Sequence, residues 1–239
     1  AMAAAGVDPD TDLSTWQSVG TALTALKAGG EECPLVTAWQ SWIHLENFSA
    51  YHDVPFATKD NGFAGLDTEL TLNGPAQVAH LSAMGQWAKD GKFIYTGRRN
   101  EGGANFRAGE CALFTESSAG YAGIKKEAEF DFEVRPLPYW KGVGNSPQNT
   151  IIGGASLWVM EGHSDAEYKG AGEFLSYLSS TDVQAQWHQD TGYLPITAEA
   201  GDATRASGFY AANPGTEVAV LQMTANKPTA NSNGLRLGS

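Results

Sequence analysis

Three places in this 239-residue chain bring small polar groups to the end of an extended segment, where a ligand can be met. The first is Ser117, which follows the apolar run Cys111-Ala-Leu-Phe-Thr115 and opens Ser117-Ser-Ala-Gly-Tyr-Ala-Gly-Ile124. A strand running straight into a helix points the serine hydroxyl and the first helical N–H groups the same way, which suits an anion or a polyol hydroxyl. The same residue serves equally as a plain N-cap. The second is Gly153-Gly154, inside the extended run Ile151 to Met160. Glycines there permit either a close backbone approach to a ligand or a bulge. The third is Gly192-Tyr193, an aromatic hydroxyl in the loop Thr191-Gly-Tyr-Leu-Pro-Ile-Thr197. Binding sites in α/β folds collect at such element ends.

Other chemistries lack their residues. The five histidines, His44, His52, His80, His163 and His188, include no His-x₃-His pair. His44 and His52 share a helix face only if a helix runs past them, and Pro55 argues against that. We therefore expect no metal and no cofactor. Ser117-Ser-Ala-Gly120 lacks the leading glycine of a nucleophile elbow. No phosphate-binding Gly-rich loop follows a strand, and Glu31-Glu32 reads as a solvated turn. Asn47-Phe-Ser49 is formally a glycosylation sequon, but it falls in a helical segment. The chain reads as a binder and not as an enzyme. Cys33 and Cys111 each open a short apolar run, Pro34-Leu-Val-Thr-Ala38 and Ala112-Leu-Phe-Thr115. If those runs are neighbouring parallel strands, the thiols lie at one sheet edge and can pair. Two unrelated buried thiols are the alternative. A disulfide closing so long a loop would add roughly 4 kcal/mol in the chain-entropy model and would place the protein in an oxidising compartment.

The elements that must position these residues follow from periodicity. Trp16, Val19, Leu23 and Leu26 give a helix over Ser14 to Lys27, stopped by Gly29-Gly30. A second helix starts near Ser41, with Trp42, Leu45 and Ser49 on one face. Leu66 to Leu72 alternates as a strand. Asn73 caps a helix with Pro75 in its first turn and Val78, Leu81 and Met84 inward. A helix ends at Gly109, and Cys111 to Thr115 is a strand. Phe130 to Tyr139 and Ile151 to Met160 read as strands. Helices follow over Asp165 to Ser179, with Tyr168, Ala171, Phe174, Leu175 and Leu178 inward, and over Thr181 to Asp190, Ala198 to Ala211 and Glu217 to Ala225. Strands alternating with helices predict an α/β architecture with a mixed central sheet flanked by helices.

Composition bounds the partners. The formal net charge of −12 argues against nucleic acid and anionic membrane surfaces. It leaves room for a small anion held by a few local donors. No apolar run approaches the roughly 18 residues of a membrane span, and no signal peptide is present. Seven tryptophans are many for this length and serve either core packing or an aromatic wall.

The block Phe106-Arg-Ala-Gly-Glu-Cys-Ala-Leu-Phe-Thr-Glu-Ser-Ser118 resembles the helix–strand–helix unit of extracellular solute-binding proteins, the family that includes the maltose-binding protein. Trp39-Gln-Ser-Trp-Ile-His-Leu-Glu-Asn-Phe-Ser49, Pro147-Gln-Asn-Thr-Ile-Ile-Gly-Gly-Ala-Ser-Leu-Trp158 and Trp187-His-Gln-Asp-Thr-Gly-Tyr-Leu-Pro-Ile-Thr197 are similar to the glycerol-phosphate branch of that family. The likeness runs from about Gly6 to Gly238. It implies a periplasmic-binding-protein-like fold, with residues 1–239 forming one ligand-binding lobe and 1–13 and 226–239 its cut hinge and terminal segments. It also implies a periplasmic receptor that closes on sn-glycerol 3-phosphate or a glycerophosphodiester and delivers it to ABC permease subunits. Trp39 would then pack on the glycerol carbons with Trp42 close by. Ser117 would bond the phosphate, Gly154 would offer its N–H and Tyr193 its hydroxyl. The family's remaining contacts, a Tyr and a Glu from the other lobe and an Arg clamping the phosphate, fall outside these residues. The lobe alone is accordingly expected to bind about 100-fold more weakly or worse, and its exposed cleft face to favour self-association. Two competing readings are a lobe kept for its fold without ligand binding and a phosphodiester hydrolase. The second needs a metal cluster or acid/base pair that the sequence does not offer.

Overall fold

The computed structural model describes residues 1–234. Three short parallel strands form the sheet, β1 (Leu35–Thr37), β2 (Phe93–Ile94) and β3 (Leu113–Thr115), in the order β2-β1-β3. Leu35 pairs with Phe93 on one side and Leu113 on the other, and Thr37 pairs with Thr115. All three residues of β1 are buried, as expected of a central parallel strand covered on both faces. Parallel neighbours need crossovers, and helices supply them. The β1–β2 crossover carries α2 (Phe48–Tyr51), the short turn α3 (Thr58–Asn61) and α4 (Pro75–Lys89), and the β2–β3 crossover carries α5 (Gly102–Arg107), while α1 (Trp16–Ala28) precedes β1 and α6 (Tyr121–Glu127) follows β3. Beyond them lie α7 (Asp165–Leu178), α8 (Thr181–Thr191), α9 (Ala198–Ala206), α10 (Phe209–Ala212) and α11 (Val218–Met223). The predicted terminal segment is described only to Gly234; its residues 235–239 lie outside the described residues.

The core forms where periodicity placed it. Helix α1 begins with a reciprocal capping box between Thr15 and Ser18 and buries Trp16, Val19, Leu23 and Leu26. These pack with Val7, Leu35, Met84 and Phe93. The Cys33 and Cys111 sulfurs are bonded across the amino-terminal ends of β1 and β3. The register Leu35↔Leu113 puts these cysteines side by side, two residues before each paired leucine.

Several elements differ from the sequence expectation. Helix α4 starts from Gly74 without a side-chain cap, so Asn73 is not its N-cap. Met84 is buried, but Val78 is 51% exposed and Leu81 42%. Gln77 and His80 face inward in their place. The Gln77 amide donates to Ser49 Oγ (3.0 Å) and Pro55 O (2.9 Å), and His80 joins a buried histidine network. Satisfied buried polar groups thus set the rotation of this helix.

The segment around Leu70 makes only a single bridge to Ala57, and Phe130 to Tyr139 a single bridge from Tyr139 to Thr15. Residues 152–160 belong to no strand, bend at Gly154 and are exposed. None of the three predicted strands forms, because no strand edge lies beside these stretches to make a ladder. The sheet is therefore wholly parallel among the described residues. In α7, Ala171, Leu175 and Leu178 are half-buried while Tyr168 and Phe174 are exposed. The predicted 198–211 helix is two helices, parted where Gly208 adopts φ 78°.

Candidate functional site

The carboxyl ends of β1 and β3 carry the chain into two turns that meet. After β1, Trp39 adopts a left-handed φ of 49°, a costly conformation for a bulky residue. Its backbone is held there by a bond from its N–H to Arg99 O (2.9 Å). Its carbonyl accepts from the N–H groups of Trp42 (3.0 Å) and Ile43 (2.9 Å). Those bonds start a π-helical stretch, Trp42–Asn47, that continues into α2. Trp39 is left 38% exposed. After β3, the Glu116 carboxyl accepts from the Ser117 N–H (2.7 Å) and from the Trp39 side chain. Burial raises its pKa to about 7, opposed by the Ser117 N–H, the Arg107 charge and Trp39. Ser117 Oγ accepts weakly from the Ala119 N–H (3.3 Å), so the capping role is present beside any ligand role.

The other predicted residues close a ring around this point. A Cβ on Gly192 would lie 2.5 Å from the Ser118 carbonyl, which sets the Gly192-Tyr193 loop directly against the Ser117 turn. A Cβ on Gly154 would come 3.1 Å from the Tyr193 ring, and one on Gly153 2.9 Å from the Trp42 ring. Trp39, Ser117, Tyr193, Gly154 and Trp42 are thereby linked through neighbouring contacts. Asn47, read as part of a sequon, is buried instead, and its Oδ1 accepts from the Ile151 N–H (2.9 Å), which fixes the approach of the glycine pair.

One buried histidine that the sequence did not single out holds part of this ring, and three more form a network of their own. His188, at the end of α8, donates from Nδ1 to the Tyr193 carbonyl (2.7 Å) and accepts at Nε2 from the Tyr210 hydroxyl (3.0 Å). Behind β1, Trp140 Nε1 donates to His80 Nδ1 (3.0 Å), so His80 carries its proton on Nε2 and donates to His44 Nδ1 (3.1 Å). His44 then donates from Nε2 to Thr37 Oγ1 (2.9 Å), which also receives the Thr115 hydroxyl (2.6 Å). His52 donates to Phe48 O (2.8 Å) and accepts from the Trp140 N–H (2.8 Å). Every ring nitrogen of these three residues is used in the neutral form. Burial lowers the pKa of His44 and of His52 to about 4, and also holds His80 well below its ordinary value.

The five residues form an open surface. A cavity of ≈ 330 Å³ beside the Trp39–Ser41 turn is lined by Gln40, Ser41, His44, Leu45, Leu81, Met84, Phe93, Tyr95 and Arg98, none of them among the five. No group of three or more His, Cys, Asp or Glu among the described residues is placed to hold a metal. No helix there is long and apolar enough to cross a membrane.

Helices around a parallel sheet, with Trp39 and Ser117 just past the carboxyl ends of β1 and β3, form a periplasmic-binding-protein-like fold, and the comparisons agree. The family model for bacterial extracellular solute-binding proteins matches residues 1–218, and the chain belongs to that family. It is 46% identical over 235 residues to the sn-glycerol-3-phosphate-binding periplasmic protein UgpB of Yersinia pestis bv. Antiqua. It is equally similar to UgpB of Escherichia coli O6:K15:H31. Each alignment covers 98% of this chain and 54% of the relative, so the chain spans about half the length of these relatives. Its fold matches UgpB from Mycobacterium tuberculosis, solved in complex with glycerophosphocholine, at TM-score 0.74 and 24% identity over 93% of this chain and 54% of that one. The cyclic α-maltosyl-1,6-maltose binding protein from Arthrobacter globiformis matches at TM-score 0.72 and 24% identity, covering 93% of this chain and 55% of its own.

Proposed function

We propose that residues 1–239 are one ligand-binding lobe of a periplasmic ABC-importer receptor for a glycerol phosphate ester, without enzymatic activity. The observation that carries this reading is the ring of Trp39, Ser117, Tyr193, Gly154 and Trp42 in a chain 46% identical to sn-glycerol-3-phosphate-binding proteins. Trp39 offers an exposed, rigid aromatic face for the glycerol carbons, and Trp42 backs the glycine pair. The Ser117 hydroxyl, the Gly154 N–H and the Tyr193 hydroxyl supply three donors of the kind a phosphate or polyol needs. The strained φ of Trp39 supports a functional role, since such conformations persist where the surroundings enforce them.

In this reading the ligand closes the lobe against a partner lobe beyond these residues, and the closed receptor docks on permease subunits. Alone, the lobe binds at least about 100-fold more weakly, because the opposing contacts are missing. The uncovered apolar run in which Trp158 is 82% exposed with Leu157 and Met160, together with exposed Phe174 and Tyr177 on α7, drives self-association. The test is a titration of intrinsic tryptophan fluorescence with sn-glycerol 3-phosphate. A saturable change supports the reading, and an unresponsive protein supports a lobe retained for its fold alone.

A further inference from the structure

We propose that Glu116 is a charge-selecting residue of this site, favouring monoanionic phosphodiesters over dianionic phosphate monoesters. The inference rests on the reading of Ser117 as the phosphate contact, and it adds a determinant of which ester is taken.

The geometry sets a shortage of donors. The Ser117 N–H is already engaged by Glu116 Oε1 at 2.7 Å, and the Ala119 N–H is turned to Ser117 Oγ at 3.3 Å. The Trp39 side chain is turned to the same carboxyl. The carboxyl is folded against the Gly120 turn, where a Cβ would meet Glu116 Cγ at 2.6 Å, so it has little room to swing away. A phosphate arriving at Ser117 therefore meets its hydroxyl, with the Gly154 N–H and the Tyr193 hydroxyl as the other neutral donors, and on the same turn a carboxyl held by the Ser117 N–H and the Trp39 side chain. The charged group acting on Glu116 from a packed element is Arg107 on α5. Its guanidinium is engaged by Glu127 on α6 at 2.7 Å, which reduces what it can offer either carboxylate or phosphate.

A monoester brings two negative charges and three terminal oxygens above its second pKa of about 6. A diester brings one charge and two terminal oxygens. With neutral donors only and a neighbouring carboxylate, the second charge of the monoester is left uncompensated, and desolvated like charges at close range repel. An extra charge opposed by a neighbouring carboxylate is expected to weaken binding about tenfold. Burial raises the Glu116 pKa to about 7, so the selecting charge is present in slightly alkaline solution and fades on mild acidification. The neutral acid becomes a donor in its own right.

The experiment titrates the 239-residue chain and its Glu116→Gln variant with sn-glycerol 3-phosphate and with the methyl diester of the same phosphate, which differ at the phosphate by one charge and one methyl group. Tryptophan fluorescence at about pH 8 gives the ratio of the two dissociation constants. Glutamine keeps the shape and an oxygen acceptor for the Ser117 N–H. A roughly tenfold preference for the diester in the wild type, reduced several-fold in Glu116→Gln by tighter monoester binding, supports the inference. A Glu116→Asp variant that keeps the preference supports it further. A ratio unchanged by Glu116→Gln while both ligands bind overturns it, as does an equal loss of both ligands, which would mark Glu116 as a positioning residue only. Failure of both esters to bind either protein overturns the proposed function, and this inference with it.

Discussion

Acidification should destabilise this protein through its buried histidines, above the pH at which its depressed carboxylates titrate. His44 and His52 are buried neutral, with pKa lowered to about 4 from 6.5. The unfolded chain takes up protons at these sites from about pH 6.5 downward, while the folded chain refuses them until about pH 4. Their contribution is therefore whole above pH 6.5, is lost as pH falls from 6.5 to 4, and levels off below that. Linkage makes the loss about 2 kcal/mol per histidine by pH 5, or about 4 kcal/mol for the pair. His80 acts in the same direction. The hydrogen-bond directions explain why the site cannot adapt: a proton on His80 Nδ1 would face the Trp140 indole N–H, and one on His52 Nε2 the Trp140 backbone N–H.

Glu116 opposes the trend, since its raised pKa makes folding take up a proton between about pH 7 and 4.5. The measurement is best made in Glu116→Gln, which does not titrate. Urea unfolding followed by tryptophan fluorescence at pH 7, 6 and 5 should lose about 4 kcal/mol, a large part of the 5–15 kcal/mol of a typical domain. The depressed carboxylates Asp12, Asp53, Asp67 and Glu167 act at lower pH, outside this window. A stability that stays level from pH 7 to 5 would refute the neutral-histidine network.

Reduction of the Cys33–Cys111 bond, which spans 78 residues of sequence, should cost about 4 kcal/mol of stability; urea midpoints with and without reductant read this, and equal midpoints would contradict it. Light scattering should find a concentration-dependent dimer that Trp158→Ser shifts toward monomer, whereas a monomer at all concentrations would remove the proposed self-association.

The elements most legible in the sequence were those decided by local pattern. The apolar spacing of Trp16, Val19, Leu23 and Leu26 determines a helix whichever fold receives it, and the short apolar runs after Cys33 and Cys111 become adjacent parallel strands. The candidate site was half legible. Glycines and hydroxyls at strand ends marked Ser117, Gly154 and Tyr193, because only those types suit such positions. Glu116 gave no signal, since a lone acid after a strand looks solvated until burial and the Ser117 N–H reveal otherwise. The left-handed Trp39 was invisible for the same reason, as its φ is imposed by Arg99 and the following turn. Helix α4 misled because Val78 and Leu81 have the right spacing, while the inward face is chosen by Gln77 and His80 through partners far away in sequence. Residues 151–160 show that a strand pattern forms a strand only where an edge is waiting.

The most direct test is binding of glycerol phosphate esters to the chain itself. Tryptophan fluorescence titrations with sn-glycerol 3-phosphate and a glycerophosphodiester should give saturable curves in the millimolar range, with Trp42 still reporting in a Trp39→Ala variant. Trp39→Ala and Ser117→Ala should each weaken binding about tenfold, on the order of 1.4 kcal/mol. No saturable response to either ester, or binding that both substitutions leave unchanged, would contradict the assignment of this surface as the ligand site.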